Sequence, residues 1–261
     1  MKTRIITAVI ALLLFVPIVL YGKWPLVLLI YVMATVGLFE LVNMKQSTYH
    51  MILKCISFIV LWFLLAQQIT AMDEWVSITF EQTIIVFVMI LLILTVTSKN
   101  RLSIEDVSFY LMATIYIAIG FAFFMQAREQ GVSFVLFILF IIWGTDSGAY
   151  FAGRALGKHK LWPSISPNKT IEGAIGGTLI AVVIGVLFHI IHPFDYSLLV
   201  IVLISIGIAI VGQFGDLVAS AFKRHFSVKD SGNIFPGHGG ILDRFDSLLF
   251  VLPFLYVIQF I

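Results

Sequence analysis

The sequence predicts an all-α, polytopic integral membrane protein of about nine transmembrane helices with a cytoplasmic N-terminus. Three observations carry that expectation. Of 261 residues, 61% are apolar and 11% charged, against roughly 45–50% and about 25% in soluble domains. Apolar runs long enough to cross about 30 Å of hydrocarbon recur along the whole chain. The 16 Lys and Arg residues are also segregated between alternate connections. A water-soluble fold of this length could not hide so much apolar surface, and the mean hydropathy of +1.08 names lipid as the solvent. Disorder and a disulfide scaffold are excluded as well. A net charge of +2 is no polyanion-binding signal, so no nucleic-acid partner is expected. The single Cys55 lies in an apolar stretch and reads as a small buried hydrophobe.

The candidate spans run approximately 5–21, 24–43, 52–70, 83–97, 107–126, 132–150, 173–192, 198–219 and 245–261. Lys2 and Arg4 precede the first, but no small-x-small cleavage site follows, so it reads as a retained helix. The break between the first and second rests on Gly22 and Lys23. Fourteen of the 16 cations fall on one side of this map, and only Lys23 and Arg128 on the other. By the positive-inside rule the N-terminus is cytoplasmic and the C-terminus outside. The acidic stretch with Asp73, Glu74 and Glu81 then also falls outside. The chain reads as a single membrane domain, 1–261, with two cytoplasmic loops, about 151–172 and 220–244. These loops hold eight of the fourteen inside cations and most of the polar chemistry.

In the second loop, Asp216, Ser220, Lys223 and Arg224 fall at i, i+4, i+7 and i+8, one face of a helix continuing the eighth span. For Lys223 and Arg224 alone the plain reading is a snorkelling pair at the boundary with Asp216 as its ion-pair partner. Asp216 itself is a carboxylate in an apolar helix, which is costly and marks a functional candidate. Gly237, Gly239 and Gly240 around His238 give a backbone able to turn sharply and present N–H groups to an anion, although a tight inter-helix turn needs the same residues. Asp243 and Asp246, at i and i+3 with Arg244 between them, share a helical face at the mouth of the ninth span. Carboxylates beside several cations suit a Mg²⁺ ion and a polyphosphate held together.

The spacing Ser220-x-x-Lys223-Arg224-x4-Lys229-Asp230-x5-Pro236-Gly237-His238-Gly239-Gly240-x-x-Asp243-Arg244-x-Asp246 resembles the signature of the phosphatidate cytidylyltransferases, or CDP-diacylglycerol synthases, with no departure at its fixed positions. In the first loop Asp146 is a carboxylate at membrane depth. Gly144 and Gly148 beside it form a small-xxx-small pair that suits close helix packing. Farther on, Ser166-Pro167-Asn168-Lys169-Thr170-Ile171-Glu172-Gly173 is similar to a second element of the same family. Ser166-Pro167 is also an ordinary helix-start signal, and Lys169 and Thr170 near a helix N-terminus could bind phosphate.

The resemblance implies an enzyme that transfers cytidylyl from CTP to phosphatidate at the inner face of a bacterial inner membrane. Together with the cost of a carboxylate in an apolar helix, which marks Asp216, it makes Asp216, Asp243 and Asp246 the expected ligands of a Mg²⁺ cofactor and, with Lys223 and Arg224, the expected catalytic set. Asp146, Asn168, Lys169, Thr170, Glu172, Ser220, Lys229, Asp230, Gly237, His238, Gly239, Gly240 and Arg244 become substrate-binding residues. A CTP-dependent lipid-alcohol kinase is the alternative enzyme. A transporter or scramblase would instead carry carboxylates near the midplane and inverted repeats, whereas these charges gather at one face. Gly173 and Gly177 would suit either a homodimer face or internal packing. Glu40 and Lys54 read as interfacial residues, and His189 and His192 as boundary histidines facing away from the site.

Overall fold

The structure is a computed structural model and describes residues 2–45, 51–69, 78–235, 237 and 239–261. Asp73, Glu74 and His238 lie outside the described residues. Among the described residues there are nine α-helices: α1 (Lys2–Tyr21), α2 (Lys23–Met44), α3 (Met51–Ala66), α4 (Phe80–Thr97), α5 (Ile104–Gln130), α6 (Val132–Leu156), α7 (Ile171–Ile191), α8 (Leu198–His225) and α9 (Leu242–Val257). Each coincides with one of the apolar runs. In hydrocarbon a backbone must satisfy its own N–H and C=O groups, so such runs form helices. Six of them, α2 and α4 to α8, are long and apolar enough to cross a membrane, and the chain is an integral membrane protein.

The chain packs into two compact units, residues 1–126 with 230–242, and residues 127–229 with 243–261. In the first, Tyr110, Phe121, Leu38 and Ile30 are fully buried. Helix α4 opens with a capping box in which Thr79 Oγ1 accepts from Gln82 N, and Gln82 Oε1 accepts from Thr79 N. Helix α5 opens likewise, Asp106 Oδ2 accepting from Ser103 N at 3.1 Å while Ser103 Oγ accepts from Asp106 N at 3.1 Å. Lys45 pairs with Asp106 at 2.5 Å and lies 5.3 Å above the ring of Phe109.

One expectation fails here. Cys55 is exposed rather than buried, on the α3 face that also shows Ile52, Ile59 and Trp62. An apolar residue facing lipid needs no protein cover, so hydrophobicity does not predict burial in such a chain. Glu40, near the end of α2, is buried in protein: it is 4% exposed, its carboxylate accepting from Ser231 Oγ at 3.0 Å and from the N–H groups of Ile241 and Leu242 at 2.9 Å each. Lys54 donates to Asn43 Oδ1 at 2.7 Å across the α2–α3 connection.

In the second unit the α6–α7 pair is held together by glycine. A Cβ on Gly177 would stand 2.6 Å from the Thr145 carbonyl oxygen, and one on Gly173 2.8 Å from that of Ala149. Gly144 and Gly148 pack on Ile180 and Ile184 of α7. These small residues therefore serve contact within this chain, the internal packing that the sequence left open. At the end of the unit distant from the α6–α7 connection, Phe134, Phe137, Phe188, Phe194 and Phe260 form an aromatic cluster with centroids 4.9–6.0 Å apart. His189 joins it, stacked on Phe194 and accepting that residue's N–H at its Nδ1, and so faces away from the candidate site residues of this unit.

The first loop is not irregular. Helix α6 continues to Leu156, and an antiparallel hairpin then pairs β1 (Lys160–Trp162) with β2 (Ser166–Thr170). Ser166-Pro167 thus begins a strand instead of a helix. Proline is tolerated there because a two-stranded hairpin is all edge. The helix begins at Ile171, and Thr170 is its N-cap, accepting from Gly173 N at 3.1 Å.

Candidate active site

Within the second unit, the α6 C-terminus, the hairpin, the α8 C-terminus and the start of α9 converge. Arg224 Nε, in the last turn of α8, donates to the Ile165 carbonyl in the hairpin turn at 3.3 Å. Lys169 on β2 pairs with Asp216 on α8, Nζ to Oδ2, at 2.5 Å, and Ser220 Oγ donates to Asp216 Oδ1 at 3.4 Å. The ion-pair partner of Asp216 is therefore Lys169, not the Lys223-Arg224 pair that follows it on its own helix. Lys223 turns instead to α9, its Nζ 2.6 Å from Asp243 Oδ1, with the two side chains 14% and 6% exposed.

Glycine also explains why α8 and α9 meet at this point. A Cβ on Gly215 would stand 2.7 Å from the Asp246 carbonyl oxygen and 3.1 Å from Ser247 Cα, so only glycine admits the α9 backbone here. The close approach brings Asp246 beside Asp216. Asp146 of α6 is near enough to both for the three carboxylates to repel one another, with Lys169 and Arg244 acting on Asp146 and Lys223 on Asp246 as opposing charges. Asp146 is exposed, while Asp216 and Asp246 are half-buried. The structure thus gathers Asp146, Lys169, Asp216, Ser220, Lys223, Asp243, Arg244 and Asp246 at one end of this unit.

Other expected residues have local duties. Glu172, in the first turn of α7, accepts from Lys158 N at 3.1 Å and His159 N at 3.2 Å, and its Oε1 lies 2.7 Å from His159 Nδ1. It pins the entry to the hairpin. Thr170 spends its hydroxyl on capping α7. Asn168 and Lys229 are exposed. An apolar hollow of about 380 Å³ lies between the hairpin, α7 and α8, lined by Trp162, Ile175, Leu179, Phe214 and Leu217. Gln213 on its wall donates to the Thr178 hydroxyl and the Ala174 carbonyl at 3.4 Å. Periodicity showed neither the hollow nor the hairpin, since both depend on chain reversal.

The glycine segment belongs to the first unit. Phe235 N donates to the Gly239 carbonyl at 2.9 Å, closing a tight turn in which Gly237 and Gly239 take φ of +79° and +80°, a region that L side chains rarely adopt. Asp230 is exposed at its start and Gly240 buried at its end.

Among the described residues no group of three His, Cys, Asp or Glu side chains is placed to hold a metal ion by itself. A magnesium ion asks for less, being held by one or two carboxylates with substrate phosphates and water completing its shell.

Residues 2–261 match the model of the cytidylyltransferase family. The chain is 46% identical over 258 residues to the phosphatidate cytidylyltransferase of Staphylococcus haemolyticus, with 99% of this chain and 98% of that protein covered. It is 45% identical to the protein of the same name from Bacillus subtilis, with coverage of 98% and 96%. The Staphylococcus aureus protein of that name is 43% identical, with coverage of 99% and 98%.

Proposed function

Because the chain belongs to the cytidylyltransferase family, we propose that it transfers the cytidylyl group of CTP to phosphatidate, giving CDP-diacylglycerol and pyrophosphate. The observation that carries this reading is the Asp146, Asp216 and Asp246 group with Lys169, Lys223 and Arg244 around it, in a unit whose hairpin and α8 also line an apolar hollow. An anionic headgroup on an acyl chain needs those two surroundings side by side.

A phosphatidate oxygen attacks the α-phosphorus of CTP in line. A new P–O bond forms, the bond to the bridging oxygen breaks, and pyrophosphate leaves with the electron pair. The attacking oxygen is already anionic near neutral pH, so the protein's work is to position two anions and offset their repulsion. Lys169, Lys223, Arg224, Lys229 and Arg244 supply cations, with Asn168, Thr170 and Ser220 as neighbouring polar groups. Lys169 and Lys223 are held by carboxylates until phosphate arrives. Asp216 and Asp246, with Asp243 on the same face of α9, are the residues that would hold Mg²⁺. When bound it neutralises developing charge on the phosphates. The Gly237 to Gly240 backbone, with Asp230 and His238 in the same segment, would cradle part of the CTP phosphate charge.

The site faces the cytoplasm across a bacterial inner membrane. The segregation of Lys and Arg and the bacterial origin of the relatives support that placement. CTP then arrives from water while the acyl chains stay in lipid. Detergent-purified protein given CTP, phosphatidate and Mg²⁺ releases pyrophosphate only when both substrates are present, and loses the activity with EDTA or Asp216→Asn. Release that ignores phosphatidate, or survives Asp216→Asn unchanged, contradicts the reading.

A further inference from the structure

We infer that Glu40, on α2 and outside both signature elements, is the positioning residue of the glycine segment. The inference rests on the proposed cytidylyl transfer, in which that segment handles nucleotide phosphate.

A carboxylate in an apolar helix is costly unless its charge is met by donors. Glu40 is 4% exposed, and three donors from the segment meet it: Ser231 Oγ at its beginning, and the N–H groups of Ile241 and Leu242 at its end. The two ends of the Ser231–Leu242 stretch are thus fastened to one carboxylate. The N–H of Leu242 belongs to the first residue of α9, so Glu40 also meets the positive end of that helix with a negative charge. Asp243 follows directly in the chain.

The glycines of the segment are fitted to this carboxylate. A Cβ on Gly232 would stand 2.5 Å from Glu40 Oε1 and 2.9 Å from its Cδ, and Gly240 packs against both carboxylate oxygens. Between these anchors lies the Phe235–Gly239 turn with its two left-handed glycines. A turn so rich in glycine has many conformations open to it, and ordering it costs entropy at each residue. Glu40 removes that freedom before substrate arrives. Leu242 is seated against Gly37, one helical turn before Glu40 on α2, so the same face of α2 holds the segment by packing and by hydrogen bonds.

Glu40→Gln keeps the shape but loses the charge, and its amide group presents N–H where the segment presents N–H. The variant is expected to raise the KM for CTP about 10- to 100-fold, the scale on which misplacement of a binding group acts. The KM for phosphatidate should stay within about twofold, far below a tenfold effect. Hydrogen exchange in the peptide covering 230–242 should quicken while the second unit's peptides keep their protection. Gly232→Ala, which pushes the carboxylate aside without altering it, should reproduce both effects, and it carries the test if Glu40→Gln fails to fold. An unchanged KM for CTP in both variants, or equal loss for both substrates in step with loss of folded protein, overturns the inference. Wild-type protein that releases no pyrophosphate fails the proposed function instead, while quickened exchange in 230–242 would still report the anchoring.

Discussion

Lys169 Nζ, on the second strand of the hairpin, lies 2.5 Å from Asp216 Oδ2 on α8. This pair joins the two stretches of chain that carry the polar chemistry. Both side chains are about a third exposed or less. As a structural element such a pair contributes under about 1 kcal/mol. In the proposed transfer, substrate phosphate takes the cation and frees the carboxylate.

Lys169→Met should therefore leave the thermal midpoint within about 2 °C, as expected of a loss below 1 kcal/mol. It should lower kcat/KM for pyrophosphate release about 100-fold, the size of a lost charge-stabilising donor. Thermal scans and steady-state rates on the same preparation decide it. A fall in midpoint large enough to explain the lost activity would make the pair merely structural.

Lys223 and Asp243 behave differently because they are nearly enclosed. Removing either partner breaks a nearly enclosed ion pair, so Lys223→Met or Asp243→Leu alone should cost about 3 kcal/mol. The double variant should regain most of that stability, since an apolar pair of similar volume replaces a buried ion pair at little cost. It should not regain activity. A double variant that is both stable and active would remove these residues from the catalytic set.

Gly177→Val sets a side chain against the Thr145 carbonyl, which would stand 2.6 Å from the new Cβ. It should destabilise the protein by about 1–3 kcal/mol through overpacking without changing its oligomeric state in detergent. Loss of a dimer with unaltered stability would instead assign the glycine face to another copy of the chain.

The helices were legible because hydrocarbon leaves an apolar run one way to satisfy its backbone, and the nine runs fall on the nine described helices. Asp146 and Asp216 stood out as costly carboxylates in apolar helices, and Asp243 and Asp246 by their i, i+3 spacing. Glu40 obeyed the same rule, lying between Phe39 and Leu41. Placement near a helix end hid it, because depth in a membrane is not depth in a protein. Cys55 shows the converse, an apolar environment that is lipid. The hairpin was invisible because Ser166-Pro167 serves a strand edge as well as a helix start. The pairing of Lys169 with Asp216 could not be read from spacing at all, for it depends on how the chain folds back.

Orientation is open to direct chemical test. In a Cys55→Ser background, Asp195→Cys should react with a membrane-impermeant maleimide in intact cells. Ser164→Cys, in the hairpin turn, should react only after permeabilisation. The reverse pattern would put the carboxylate group on the outer face, away from CTP.

The central claim is that the α-phosphorus of CTP ends on the lipid. Purified protein, Mg²⁺ and phosphatidate with CTP labelled at the α-phosphate should place the label in an organic-extractable lipid, while label at the γ-phosphate leaves as pyrophosphate. Label from the γ-position appearing in lipid when an alcohol lipid is supplied, with CDP as the released nucleotide, would contradict the account and identify a lipid-alcohol kinase.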